Sequence, residues 1–121
     1  MTMTLNEYQK KAMSTCMPSC ENFAYMMLNL VGEVGELSSK VAKAIRKNEV
    51  SIDNEMLLPI GYAYPEHFLD DVRAEAGDIL WQLSGLCEVL GFPLEEVAQK
   101  NLDKLASRKK RGVIDGNGDN R

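Results

Sequence analysis

Two short acidic segments constrain this chain of 121 residues more than anything else in it. Gly32-Glu33-Val34-Gly35-Glu36-Leu37 and Glu75-Ala76-Gly77-Asp78-Ile79-Leu80-Trp81 each place two carboxylates three residues apart. On a helix, residues at that spacing share a face, and their side chains lean together toward the N-terminus. Two such helices packed side by side bring Glu33, Glu36, Glu75 and Asp78 to one spot. Four anions taken partly out of water repel strongly unless a cation sits among them. An all-oxygen donor set suits a hard divalent ion, Mg²⁺ first and Mn²⁺ as the alternative. A single pair of this kind usually marks a solvated helix face. Two matched pairs, each beside a glycine and followed by apolar residues, favour the shared site.

The rest of the sequence supplies helices to carry those pairs. Leu5 to about Cys16 reads as a short helix with Leu5, Tyr8 and Ala12 on its apolar side and Thr4 or Asn6 as its cap. Pro18 disfavours helix at Met17, and Ser19 is the candidate N-cap for the next one. The second helix, about Cys20 to Lys47, carries an apolar stripe of Phe23, Met26, Met27, Leu30, Val34, Leu37, Val41, Ala44 and Ile45. Beside it runs a stripe that starts acidic at Glu33 and Glu36 and turns basic at Lys40, Lys43 and Lys47. Gly32 and Gly35 lie inside this helix, where each costs about 1 kcal/mol relative to alanine and points to a close approach by something else. Residues 48–65 show no period and contain Pro59, Gly61 and Pro65. They are expected to form a connecting loop with at most one helical turn around Asn54 to Leu58, long enough to act as a lid or specificity loop. The third helix runs from about Pro65 or Glu66 to Leu90 with Gly91 as its stop, and Phe92-Pro93 opens a fourth that Gly112 ends.

The expected architecture is therefore an all-α antiparallel bundle of about four main helices, residues 1–112, followed by a Gly/Asn/Asp-rich tail at 113–121 that is flexible unless something holds it. Oligomerisation is expected to complete the bundle, because a chain this short leaves much apolar surface uncovered. A net charge of −4 argues against a general nucleic-acid binder. No apolar run approaches the length of a membrane span. Three cysteines, Cys16, Cys20 and Cys87, with no zinc-site partners and no secretory leader, suit reduced thiols in a cytoplasmic setting. His67 has no glutamate three residues before it, which counts against a di-iron bundle.

Glu33-x-x-Glu36 followed by Glu75-x-x-Asp78 resembles the signature of the all-α nucleoside triphosphate pyrophosphohydrolases, the superfamily of MazG-like proteins and dimeric dUTPases. The residues around each pair look like the first and second MazG motifs. Leu5-Asn6-Glu7-Tyr8-Gln9 is similar to the usual opening, and Asn101-Leu102-Asp103-Lys104-Leu105 followed by Arg108 to the final-helix pattern. Gly116-Asn117-Gly118-Asp119-Asn120-Arg121 looks like the tail of small single-domain members. The resemblance implies Mg²⁺-dependent hydrolysis of a (deoxy)nucleoside triphosphate to monophosphate and pyrophosphate, in a homodimer or homotetramer whose subunits share each bundle. It implies Glu33, Glu36, Glu75 and Asp78 as metal ligands and catalytic carboxylates. Asn101 and Lys104 would contact substrate, with Arg121 joining them from the tail. Lys40 is a phosphate contact by position, and Trp81, one turn after Asp78, is a candidate base-stacking residue set against a plain core or interface role. The rival readings are a non-catalytic helical module that binds nucleotide or protein, and a diphosphatase selective for dUTP or dCTP. The base itself is not encoded in either acidic segment.

Overall fold

In the computed structural model, which describes residues 2–121, four helices account for most of the chain: α1 (Leu5–Met13), α2 (Phe23–Arg46), α3 (Phe68–Val89) and α4 (Leu94–Arg111). The expected all-α bundle is therefore present. α2 and α3 share the largest interface and run antiparallel, with Met26 beside Gly85, Asn29 bonded to Gln82 and Ala44 packed near Phe68. α1 lies across α3 and α4.

Local chemistry sets the helix limits. Thr4 caps α1 by accepting a hydrogen bond from the Glu7 N–H at 3.1 Å. Asn22, not Ser19, caps α2, accepting from the Tyr25 N–H at 2.8 Å. The residues before it, Pro18–Cys20, form a single 3₁₀ turn, so α2 starts three residues later than the periodicity suggests. Gly91 and Gly112 end α3 and α4 in the left-handed region, at φ 77° and 71°, where a side chain would be strained.

The expectation for the connecting segment is corrected. The segment between α2 and α3 has no helical turn; it forms a β-hairpin, β1 (Val50–Asp53) antiparallel to β2 (Met56–Pro59), with Asp53 opposite Met56. The two turn residues, Asn54 and Glu55, both have positive φ (53° and 67°), as a twisted two-residue hairpin requires. Val50 anchors it by packing with Ala44 and Phe68, and Tyr64 closes it by donating its hydroxyl to the Leu57 carbonyl at 2.6 Å. The apolar stripe of α2 is only partly covered by the chain itself, as a chain this short leads one to expect. Met26 and Ala44 are buried, whereas Phe23, Met27, Val34 and Ile45 are exposed. Leu28 and Val31, one turn before the acidic pair, are 75% and 70% exposed.

α4 is fastened to the bundle by α1. Its N-cap, Pro93, supplies no side-chain bond. Instead, buried Gln9 of α1 accepts from the Leu94 N–H at 2.8 Å and donates to the Phe92 carbonyl at 3.0 Å, while Asn6 accepts from the Glu95 N–H at 3.0 Å. Residues three apart on α1 thus satisfy the free N–H groups that begin α4. The tail folds back onto α4: Asp119 meets Lys104 and Arg108, and the Arg121 guanidinium donates to the carbonyls of Val113, Ile114 and Gly118. Among the described residues, no helix is long and apolar enough to cross a membrane.

Candidate active site

The antiparallel pairing of α2 and α3 puts Glu33 opposite the turn of α3 that carries Glu75 and Asp78. One carboxylate oxygen from each of the three lies within 4.8 Å of the others. Glu33 and Glu75 are half-buried and Asp78 is exposed. Glu36 is exposed and lies outside this group, one turn further along α2, although its charge still reaches Glu33. The structure therefore brings together three of the four expected carboxylates, with the fourth beside them.

The electrostatics reflect this crowding. Burial, and then the Asp78 carboxylate, hold the Glu33 carboxyl above the usual glutamate range, and Glu75 and Glu36 add to the effect. A hydrogen bond from Asn29 Nδ2 to Glu33 Oε1, 3.3 Å, works the other way by favouring the charged form. Tyr8 of α1 also borders the site: burial and then the Asp78 charge raise its phenol. A divalent cation among these oxygens would relieve the repulsion, and an all-carboxylate donor set fits Mg²⁺ or Mn²⁺.

The other expected contacts are spread over the surface. Lys40 lines a cavity of about 300 Å³ with Lys43, Lys47, His67 and Asp71, between the end of α2 and the start of α3. Lys40 is seven residues, two helical turns, beyond Glu33 on the same helix. Asn101 and Lys104 line a cavity of about 370 Å³ along α4 with Phe92, Glu96, Val97 and Lys100, and none of the three clustered carboxylates takes part in it. Asn101 also faces Leu80 and Leu83 of α3 across a second, apolar cavity of about 340 Å³. The Trp81 indole N–H is committed to α1, donating to the Ala12 carbonyl at 3.1 Å and to Thr15 Oγ1 at 3.0 Å, so Trp81 ties α1 to α3. Each nitrogen of the Arg121 guanidinium donates to a carbonyl of its own tail.

Sequence reasoning missed Asn29, and it read Gln82 only as part of a polar stripe with Asp71, Glu75 and Asp78, not as a buried residue of the α2–α3 seam. Asn29 donates to Gln82 Oε1 at 2.9 Å and lies 3.3 Å from the Tyr25 hydroxyl, and Gln82 is almost wholly buried at 1% exposure. The available signal was the spacing Tyr25, Asn29, Glu33, three polar-tipped residues four apart on one helix face.

The sequence matches the MazG nucleotide pyrophosphohydrolase domain over residues 21–113, a span that holds α2, the hairpin, α3, α4 and all four acidic residues. The chain belongs to the MazG nucleotide pyrophosphohydrolase family. It is also similar to the Gene 37 protein of Mycobacterium phage L5, at 42% identity over 103 residues, which covers 85% of this chain and 80% of that protein. No solved structure matches.

Proposed function

We propose that this chain is a Mg²⁺-dependent nucleoside triphosphate pyrophosphohydrolase, converting a (deoxy)nucleoside triphosphate and water to the monophosphate and pyrophosphate. The observation that carries this reading is the meeting of Glu33, Glu75 and Asp78 across two antiparallel helices, inside the span that matches the MazG domain. In this reading those three residues hold the divalent ion, with Glu36 completing the set. When bound, the ion supplies positive charge against the phosphate oxygens and lowers the pKa of associated water. A carboxylate oxygen that the ion does not occupy would orient the attacking water and take its proton. Water oxygen bonds to phosphorus, the bond between the first and second phosphates breaks, and pyrophosphate leaves. Lys40 and Lys104 hold phosphate oxygens, and Asn101 offers an amide to the base or sugar.

Lys104 and Asn101 lie in a cavity apart from the carboxylates of their own chain, so the reading includes assembly as a homodimer or homotetramer in which a second subunit brings α4 to the site. The exposed Leu28, Val31 and Val34 beside the acidic pair supply an apolar surface for that assembly. A cytoplasmic role in clearing unwanted nucleotides from the pool fits the reaction.

The test is a panel of ribo- and deoxyribonucleoside triphosphates, incubated with Mg²⁺ and followed by separation of the products. Pyrophosphate release that is lost in Glu36→Gln and Asp78→Asn is the expected result. No turnover of any triphosphate, with Mg²⁺ or Mn²⁺, refutes the enzyme reading.

A further inference from the structure

We infer that Asn29, held by the buried amide of Gln82, is a positioning residue that sets the Glu33 carboxylate for a divalent cation; this rests on the metal role proposed for Glu33. Met26 is fully buried between α2 and α3. It packs on Gly85, where any Cβ would overlap its sulfur, so the glycine leaves the space that the Met26 side chain fills. Gln82, one turn earlier on α3, then reaches Met26, its Nε2 lying 3.5 Å from the Met26 carbonyl and 3.2 Å from the sulfur. Both of those atoms are acceptors, so the nitrogen end of the Gln82 amide must face them and its oxygen must face Asn29.

That orientation fixes Asn29. Its Nδ2 carries two hydrogens and has three acceptors in reach: Gln82 Oε1 at 2.9 Å, Glu33 Oε1 at 3.3 Å and the Tyr25 hydroxyl at 3.3 Å. The shortest bond, to the almost wholly buried Gln82, takes one hydrogen, and Glu33 and Tyr25 compete for the other. Gly32 makes room for the opposite end of the amide, since a Cβ there would stand 3.2 Å from Asn29 Oδ1. An amide relay thus runs from the Met26 backbone through Gln82 and Asn29 to one oxygen of Glu33. Hydrogen bonds of this kind fix the orientation of a ligating carboxylate, and their loss typically lowers metal affinity by about 10–100-fold.

The experiment measures Mn²⁺ affinity on the full chain without nucleotide, by electron paramagnetic resonance of free Mn²⁺. Wild type, Asn29→Ala, Gln82→Met, the double variant, Tyr25→Phe and Glu33→Gln are compared, with far-ultraviolet circular dichroism confirming helix content. Asn29→Ala is expected to bind about tenfold more weakly. Gln82→Met, which keeps the volume and removes the acceptor, should shift affinity the same way, and the double variant should be no weaker than the weaker single. Tyr25→Phe, which removes Glu33's competitor for the N–H, should bind at least as tightly as wild type; a purely structural role for the network predicts loss there too. Wild-type affinity in both Asn29→Ala and Gln82→Met, with binding abolished in Glu33→Gln, overturns the positioning role and leaves the carboxylate site standing. Absence of Mn²⁺ binding in the wild type overturns both.

Discussion

Removing the Gln9 amide should detach α1 from the start of α4 at a cost that the geometry sets. Gln9 is 5% exposed and makes two bonds of unequal weight. The bond from the Leu94 N–H, 2.8 Å, is buried, and α4 has no N-cap side chain of its own to replace it. Leaving that donor without a partner costs about 1–3 kcal/mol. The bond to the Phe92 carbonyl, 3.0 Å, is only partly buried, so water replaces Gln9 there and the loss is about 0.5–1 kcal/mol. Gln9→Leu, which keeps the volume, should therefore destabilise the fold by about 1.5–4 kcal/mol. Asn6→Ala removes only the exposed cap on the Glu95 N–H and should cost about 1 kcal/mol or less. Urea unfolding at a fixed protomer concentration measures both, read by circular dichroism and by fluorescence of Trp81, the chain's single tryptophan. Because the Trp81 indole bonds to α1, its fluorescence reports the docking of that helix directly. In Gln9→Leu the fluorescence transition should move to lower urea than the helical one. A cost below about 0.5 kcal/mol, or equal costs for Gln9→Leu and Asn6→Ala, would refute the trans-capping argument.

Two further outcomes follow from strain and charge. Glu55 occupies the left-handed region at φ 67° in the hairpin turn, so Glu55→Gly should raise stability by up to about 1 kcal/mol; a loss in the same urea assay would contradict the turn geometry. Crowding by burial and by Asp78 raises the folded-state pKa of Glu33 above its unfolded value. The folded protein therefore keeps that proton to higher pH, and stability falls as pH rises from the ordinary glutamate range through the raised value. In the presence of a chelator, Glu33→Gln should be more stable than wild type at neutral pH, with the gap closing as pH falls through that window and shrinking when Mg²⁺ replaces the chelator. A gap that does not change with pH would show that Glu33 is not crowded by its neighbours.

Helices were readable in the sequence because their signals are repeated along many residues. A stripe over twenty residues tolerates local error, and a glycine stop such as Gly91 or Gly112 is a one-residue statement about φ. The hairpin was not readable for the opposite reason. Its strands are four residues each, and its turn, Asn54-Glu55, lacks the glycine that normally announces a two-residue turn. Asn6 reads locally as a candidate cap of its own helix, and Gln9 entered only through the resemblance of the opening segment. Their work is done on a helix more than eighty residues away, and no local pattern encodes a cap given in trans. Asn29 and Gln82 were hidden likewise, because a polar residue beside an apolar stripe looks solvated until the partner helix covers it.

The glycines of the two acidic segments bear on the proposed association. Each costs helix stability, by about 1 kcal/mol relative to alanine, and should be offset by something that needs the space. Gly32 is offset within the chain, since its missing Cβ leaves room for the Asn29 amide. Gly35 and Gly77 are not: a Cβ at either would meet nothing within 4 Å. Both lie between the paired acids of their own segments, Gly35 just after exposed Val34 and close along α2 to Leu28 and Val31. A bare helix surface beside clustered carboxylates and uncovered aliphatic side chains is a surface that a second subunit could pack against. That supports the association proposed above, because the same second subunit would cover the apolar stripe and bring a lysine of α4 toward carboxylates that its own chain keeps apart from it.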